Sequence, residues 1–335
     1  MDNISETIKA EFKSKKIVIV GDLVADQFLH GTIKRISREA PVFIISHSET
    51  ETLAGGAANA AVNVASLGGN AVLVGITGND PNGQDLIGVL ESSSVDCRFL
   101  ITADDFSTTT KTRVLAAQNY AQRQQVVRID YENEESIGES VRAKLIENVS
   151  SAAQEADAII ISDYSYGVAG AEIADLCLKI ADRESIPLLV DSRTRLKEFS
   201  GVTTATPNQE EIEQILGQNF TDAQCEDLRS ELGLEALLIT LGNKGMLLVQ
   251  KDLEPIRIDV VGSKAPADVT GAGDTVIAAY ALGLASGLGF PEAAKLANHA
   301  GGNVVMKKGT ASVTLGELCD SLERETPTDF KTQSR

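Results

Sequence analysis

The stretch ADAIIISDYSYGVAGAEIADLCLKIADRESIPLLVD, residues 156–191, decides the fold class. Its two ends, 156–162 and 186–191, are short apolar runs rich in Ile, Leu and Val, and residues 169–183 between them follow a helical pattern. A strand, helix and strand in this order place two parallel strands in one sheet. Because both strands are almost continuously apolar, the sheet is predicted to be covered on both faces.

The same alternation recurs along the chain. Further strand-like runs lie at 16–20, 71–75 and 235–240, with helical patterns at 57–67, 83–93, 138–153, 208–216 and 222–232. The pattern predicts an α/β fold with a doubly wound, mostly parallel sheet and helices on both faces. In such folds ligands bind beyond the carboxyl ends of the strands.

Two segments, 28–47 and 98–130, alternate apolar and polar residues instead. This pattern is typical of half-exposed antiparallel strands, and we interpret the two segments as a small β-sheet lid. Residues 1–27, 48–97 and 131–325 would then form the nucleotide- and sugar-binding core, and 326–335 a disordered tail. Since a small sheet has exposed edges that need pairing, a homodimer through the lid is expected.

The composition excludes several classes of protein. A net charge of −18 over 335 residues argues against a nucleic-acid partner. The four cysteines are widely separated, which favours neither a zinc site nor a disulfide framework. The first 16 residues lack the apolar segment of a signal peptide, and the uncharged run 275–291 is interrupted by glycines. We therefore expect a cytoplasmic protein that does not enter a membrane.

The turn DVTGAGD, residues 268–274, precedes a helix of small apolar residues. The backbone N–H groups of Gly271, Ala272 and Gly273 would bind an anion such as a phosphate at the helix N-terminus. A carboxylate at that point, Asp274, fits a general base that removes a proton from an attacking hydroxyl. The alternative is that Asp274 only caps the helix.

Other polar residues follow the predicted strands. GDLVADQF offers Asp22 and Asp26, and LAGGAAN places Gly55 and Gly56 before Asn59. The glycines would let a ligand approach the backbone, or would serve close helix packing. Asn208 and Glu211 in PNQEE could order Mg²⁺ and its waters, or complement the helix dipole. The motif TLGNKG (240–245) could cradle a nucleotide phosphate, although the motif alone is not specific.

Taken in this order, the motifs resemble those of the PfkB or ribokinase family of sugar kinases, from about residue 15 to about 322. GGAAN and DVTGAGDTVIAAYA correspond to the two signatures of that family. Within it, VGDLVADQFLHGTIKRISREAPV, TTTKTRVLAAQNYAQRQQVVRIDYE and ATPNQEE are similar to the heptose 7-phosphate kinase domains of ADP-heptose synthesis, which phosphorylate C1. Those domains often precede a nucleotidyltransferase domain, which we expect here to be a separate protein.

The resemblance implies transfer of a phosphoryl group from ATP with Mg²⁺, with Asp274 as the base and the N–H groups of Gly271, Ala272 and Gly273 stabilising the transferred group. It implies the following substrate-binding residues: Asp26, Gly55, Gly56, Asn59, Lys111, Arg113 and Asp163. It implies the following nucleotide-binding residues: Asn208, Arg193, Thr240, Gly242, Gly245 and Asn298. Glu211 and Asn208 would hold Mg²⁺ through water, and a monovalent cation is expected near Asp268.

Two positions depart from the heptose kinases. Tyr166 stands where they usually have Lys, and Ser192-Arg193 where they have Pro-Lys. Arg can still bind a phosphate, but Tyr cannot replace a cation. Candidate phosphate ligands, or ordinary surface charges, are Lys111, Arg113, Arg128, Arg35 and Arg38. A kinase of an unphosphorylated sugar or nucleoside therefore stays open, as does a non-catalytic sugar or nucleotide sensor.

Overall fold

The computed structural model describes residues 2–118, 121, 123–133, 137–262, 266–307 and 309–324, so the predicted tail at 326–335 lies outside the described residues. The strands are β1 Lys16–Gly21, β2 Leu23–Ile36, β3 Phe43–Gly56, β4 Asn70–Gly78, β5 Asp96–Ala103, β6 Thr110–Ala117, β7 Gln124–Tyr131, β8 Ala158–Asp163, β9 Leu188–Ser192, β10 Thr204–Ala205, β11 Ala236–Thr240, β12 Met246–Gln250 and β13 Ile256–Ile258. The helices are α1 Asp2–Glu11, α2 Ala57–Ser66, α3 Pro81–Ser92, α4 Glu139–Ala152, α5 Ala171–Glu184, α6 Gln209–Leu216, α7 Asp222–Glu231, α8 Ala272–Ala285, α9 Phe290–Val304 and α10 Leu315–Arg324.

The main sheet has nine strands in the order β13-β12-β11-β10-β9-β8-β1-β4-β5. Its pairs are parallel except those that β12 makes with β11 and β13. Side chains alternate along each strand, so Ile17 and Ile19 of β1 pack with α2, α8 and α9, while Val18 and Val20 pack with α4 and α5 on the other face. The predicted doubly wound α/β fold is confirmed.

The second sheet has four strands in the order β3-β2-β6-β7. Two of its pairs are antiparallel as expected, but β2 and β6 are parallel because the chain passes through the main sheet between them. Its strands β2 and β3 run from Leu23 to Gly56, beyond the predicted 28–47. The assignment of residues 98–103 to the lid strands is wrong, since they belong to β5 at the edge of the main sheet. An edge strand is half exposed and therefore shows the same alternation as a lid strand.

Helix α8 contains much of the uncharged run that follows the DVTGAGD turn. Its residues 274–283 are all buried, which explains the small apolar composition of that stretch. Within the described residues, the structure contains no helix with the length and apolar character needed to cross a bilayer.

Candidate active site

Asp274 lies in the first turn of α8 and is only 3% exposed. One carboxylate oxygen, Oδ2, accepts a hydrogen bond from Asn59 Nδ2 at 2.6 Å, and Oδ1 accepts one from the Tyr164 hydroxyl at 3.0 Å. Burial raises the pKa of Asp274 from 3.8 to about 6, although both hydrogen bonds favour the ionised form. A carboxylate with this pKa can accept a proton near neutral pH and release it again.

Gly271, not Asp274, occupies the N-cap position of α8. Its φ is +75°, and a Cβ atom there would lie 2.6 Å from Asn59 Nδ2, so the turn requires glycine. The Ala272 N–H donates to the Val269 carbonyl at 3.3 Å, which leaves it a weaker anion ligand than expected. A Cβ atom on Gly273 would have Asp191 Oδ2 as its nearest neighbour, at 3.8 Å, so the turn is open in front of this residue.

Two pockets meet at this turn. The polar pocket is lined by Arg113, Asp163, Tyr164, Asp191, Arg193, Thr206, Asn208, Glu211, Thr240 and residues 269–274. The largely apolar pocket is lined by Thr240, Gly242, Asn243, Gly245, Met246, Val260, Pro266, Val269, Ala272, Gly273, Val276, Asn298, Gly301, Gly302 and Val305. Ala272 and Gly273 line both, so a ligand in one pocket can reach a ligand in the other across the glycine turn.

Asp26, on β2, is paired with Arg113 on the neighbouring lid strand β6. Arg113 Nη1 lies 2.6 Å from Asp26 Oδ1, and the Thr310 hydroxyl donates to Oδ2 at 3.3 Å. A Cβ atom on Gly55 would lie 2.9 Å from Asp26 Oδ2, and one on Gly56 would lie 2.5 Å from a backbone oxygen. Both glycines therefore allow close packing within the protein, one of the two roles predicted for them.

Asp163 lines the polar pocket, but its carboxylate is engaged by protein groups. Arg195 Nη2 lies 2.5 Å from Oδ1, and the Ser192 hydroxyl donates to Oδ2 at 2.7 Å. Asp22 likewise accepts the N–H groups of Tyr164, Tyr166 and Val168. These two carboxylates hold the loop after β8 in place.

Asn208 and Glu211 lie together at the start of α6, on the wall of the polar pocket. They form a capping box, in which Asn208 Oδ1 accepts the Glu211 N–H at 3.0 Å and Glu211 Oε2 accepts the Asn208 N–H at 2.8 Å. The described residues contain no group of three or more His, Cys, Asp or Glu that could hold a metal ion. A Mg²⁺ ion at this wall would consequently take most of its ligands from water and phosphate oxygens.

Four of the residues predicted to bind nucleotide line the apolar pocket, namely Thr240, Gly242, Gly245 and Asn298, whereas Asn208 and Arg193 line the polar pocket. Thr240 lies at its junction with the polar pocket, and Gly242 and Gly245 both have positive φ. A Cβ atom on Gly245 would overlap the Ile258 carbonyl, so this glycine allows β13 to approach. Asn298 donates from Nδ2 to the Asp259 carbonyl at 2.7 Å. The pocket thus offers a largely apolar surface next to the glycine turn.

Among the basic candidates, Arg193 faces the polar pocket, and its guanidinium lies 4.7 Å from the centre of the Tyr164 ring. Lys111 lies 4.0 Å from Glu132 and 5.6 Å from the Tyr166 ring centre. Burial, followed by the charge of Arg193, lowers the pKa of Lys111. Arg128 pairs with Asp130 on the surface.

Arg35 and Arg38 are exposed at the distal end of β2 and beyond it. At about 3.3 Å per residue, Arg35 is roughly 30 Å from Asp26 along the strand. The structure therefore separates these two cations from the polar pocket.

Asp268, near which a monovalent cation is expected, joins two loops. Its carboxylate accepts the N–H groups of Thr270 and Gly309, each at 3.0 Å. Although burial favours the neutral acid, these hydrogen bonds lower the pKa of Asp268. The carboxylate thus stays ionised and positions the glycine turn.

Tyr164 is a residue of the polar pocket for which the sequence predicts no role, as are Asp191 and Thr206. It follows Asp163 directly in the SDY segment after β8, so its position at the carboxyl end of a central strand was the available signal. Nothing in the sequence shows that its hydroxyl reaches Asp274, 110 residues away.

Comparisons with known proteins identify the family of this chain. The sequence pattern of pfkB family carbohydrate kinases matches residues 14–315. This chain belongs to the pfkB family of carbohydrate kinases. The kinase is 37% identical over 327 residues to the bifunctional protein HldE of Haemophilus influenzae, covering 96% of this chain and 66% of that protein. It is 38% identical over 320 residues to HldE of Chromohalobacter salexigens, covering 94% and 65%.

Solved structures resemble the kinase over most of its length. Ribokinase of Arabidopsis thaliana, solved with ribose and ATP, has a TM-score of 0.70 at 20% identity and covers 92% of this chain and 98% of its own. Phosphofructokinase-2 of Escherichia coli, solved with potassium, has a TM-score of 0.73 at 19% identity and covers 92% and 99%. These likenesses show that the fold is ribokinase-like.

Proposed function

We propose that this carbohydrate kinase transfers the γ-phosphoryl group of ATP to the C1 hydroxyl of heptose 7-phosphate, with Asp274 as the general base. The observation that carries the proposal is the buried Asp274 carboxylate, with a pKa of about 6, beside an open glycine turn at the junction of two pockets. The resemblance to heptose 7-phosphate kinases in the segments around Asp26, Arg113 and Asn208 supports the choice of sugar.

In the proposed reaction the C1 hydroxyl oxygen forms a bond to the γ-phosphorus, and the bond from that phosphorus to the β–γ bridging oxygen breaks. The hydroxyl proton passes to Asp274, and ADP leaves. The Gly271 and Gly273 N–H groups would stabilise the charge on the transferred group, because the first turn of a helix leaves N–H groups without intrahelical acceptors. The lid would close over the sugar and exclude water.

The apolar pocket would take the adenine and ribose, and the polar pocket the phosphates and the sugar. Asn208 and Glu211 offer the oxygen ligands that suit Mg²⁺, which would neutralise charge on the ATP phosphates. Asp26 and Asn59 would contact the sugar hydroxyls, whereas Asp163, whose carboxylate is engaged by Arg195 and Ser192, would hold the wall of the polar pocket. A monovalent cation near Asp268 is part of the proposal, and replacing K⁺ by Na⁺ or tetramethylammonium in the assay tests it.

Arg193 supports a phosphorylated sugar. It is a cation facing a pocket that also contains Asp191, Glu211 and Asp274, and it favours the ionised form of each. Arg113, by contrast, is committed to Asp26. In a protein of net charge −18, a local cation such as Arg193 is needed to offset repulsion of a sugar phosphate.

The test is kcat/KM for heptose 7-phosphate beside fructose, ribose and their phosphates, in the wild type and in Arg193→Ala. Losing a charged hydrogen bond of about 1.5–3 kcal/mol should raise KM for the sugar phosphate about 10- to 150-fold. The matched control is Arg98→Ala, an exposed arginine paired with Asp96 on the main sheet, which should behave as the wild type. The heptose phosphate proposal would be refuted if kcat/KM were tenfold or more higher for a free sugar and if Arg193→Ala left kcat/KM unchanged. That outcome would favour a kinase of unphosphorylated sugars. A rise confined to the KM for ATP would assign Arg193 to the nucleotide.

A homodimer through the lid is also proposed. Large apolar side chains on the lid strands are 43–54% exposed: Phe43, Val127, Ile129 and Tyr131. Pairing two lids would cover them. Sedimentation equilibrium tests this, and a monomer at micromolar concentration would contradict it.

A further inference from the structure

Tyr164 lies between the proposed base and the pocket cation. Its hydroxyl donates to Asp274 Oδ1 at 3.0 Å, and the Arg193 guanidinium lies 4.7 Å from the centre of its ring. At that separation a cation is attracted to the face of a tyrosine ring. One side chain thus contacts both groups.

The backbone around Tyr164 is fixed by hydrogen bonds to Asp22. The Asp22 carboxylate accepts the N–H groups of Tyr164 at 2.9 Å, Tyr166 at 3.0 Å and Val168 at 3.0 Å. Burial, followed by the nearby charge of Asp274, raises the pKa of the Tyr164 hydroxyl well above its ordinary value. The hydroxyl therefore stays protonated and is the donor in its bond to Asp274.

The opposite oxygen of Asp274 is held just as firmly. Asn59 donates to Oδ2, while its own Oδ1 accepts from Asn63 Nδ2 at 3.1 Å. The Thr275 hydroxyl donates to Asn63 Oδ1 at 2.8 Å, which fixes the orientation of that amide. Each oxygen of the carboxylate thus accepts from one oriented side chain, Asn59 or Tyr164, and keeps room for a second donor.

We propose that Tyr164 is a positioning residue that holds Asp274 ionised and aimed at the sugar hydroxyl, and that keeps Arg193 over the same pocket. This inference rests on the proposed role of Asp274 as the base.

The other charged groups that face Asp274 are Asp26 on β2, Asp191 on β9 and Arg193 after β9. The two carboxylates oppose ionisation of Asp274, and the guanidinium favours it. Tyr164→Phe keeps the ring under Arg193 and leaves all three charges in place. The variant therefore isolates the contribution of the hydroxyl.

The experiment measures the pH dependence of kcat/KM for the sugar substrate in the wild type and in Tyr164→Phe. The apparent pKa on the acid side of the kcat/KM profile should rise by about one to two units in the variant. A shift of this size corresponds to the loss of one hydrogen bond to a charged group. At pH 7 the rate should then fall about two- to tenfold and recover by about pH 9. ATP and a sugar phosphate titrate identically in both assays, so a shift between the two pH profiles comes from a group of the protein. ATP affinity, measured by calorimetry, should not change.

The matched control is Tyr280→Phe, which removes the same hydroxyl from a buried tyrosine of α8 in the core. Its pH profile should superimpose on that of the wild type. A Tyr164→Phe profile that also superimposes, or one lowered equally at every pH, would overturn the inference. Asp274→Asn separates the two proposals, because an active Asp274→Asn refutes the base itself. If Asp274→Asn is inactive and the pH profile of Tyr164→Phe matches that of the wild type, only the role of Tyr164 is refuted.

Discussion

Replacing Asp274 with Asn should abolish most of the activity while making the protein more stable. The amide can keep both hydrogen bonds of the carboxylate, since its Oδ1 can accept from Asn59 and its Nδ2 can donate to the Tyr164 hydroxyl oxygen. It cannot accept a proton from a sugar hydroxyl. We expect kcat to fall about 10²- to 10⁴-fold, the usual contribution of a positioned base.

The gain in stability follows from the pKa of Asp274. A folded-state pKa of about 6 in place of 3.8 means that the folded protein binds this proton more tightly than the unfolded chain does. Its stability contribution is therefore present at low pH and is lost as the pH rises through 6. At about 1.36 kcal/mol per pH unit, the ionised carboxylate costs about 3 kcal/mol at neutral pH. Asp274→Asn removes that cost.

Urea unfolding at pH 8 and pH 5 measures the effect. The free energy of unfolding of the variant should exceed that of the wild type by up to about 3 kcal/mol at pH 8 and by about half of that at pH 5. Steady-state turnover and ATP binding are measured on the same preparations. Turnover within tenfold of the wild type would refute the role of base, and a less stable variant at pH 8 would refute the argument from burial.

Two further predictions concern the turn and the lid. Gly273→Val should fold normally, since a Cβ atom there meets Asp191 Oδ2 only at 3.8 Å, but its side chain would fill the space of the phosphoryl group. Turnover should fall much more than ATP affinity, and an equal fall in both would make the turn a ground-state binding element. Arg113→Ala should lower the free energy of unfolding, measured with urea, by about 3 kcal/mol, because it leaves the buried Asp26 carboxylate without its charge partner. The double variant with Asp26→Ala should recover part of this loss, and no recovery would contradict the explanation.

Helices α2 to α8 and the central strands β1, β4, β8, β9 and β11 could be predicted because their signals are local. The helical pattern at 57–67 became Ala57–Ser66, and that at 222–232 became Asp222–Glu231. Strand β5 could not be separated from the lid, since edge strands and lid strands share the same half-exposed alternation. Strand β12 went unpredicted because its antiparallel return depends on the turn around Gly245 and on β13 beyond it.

The sequence by itself determined the alternation of strands and helices in the core, the glycine turn before α8 and the presence of carboxylates at the strand ends, because periodicity and turn chemistry are read from neighbouring residues. It did not show which protein groups each carboxylate contacts. Asp22 holds three backbone N–H groups, Asp163 is paired with Arg195, and Asp274 lies between Asn59 and Tyr164. Only the tertiary structure decided these roles. The charge state of a carboxylate depends on its burial and its hydrogen-bond donors, and the two donors to Asp274 are 215 and 110 residues away along the chain.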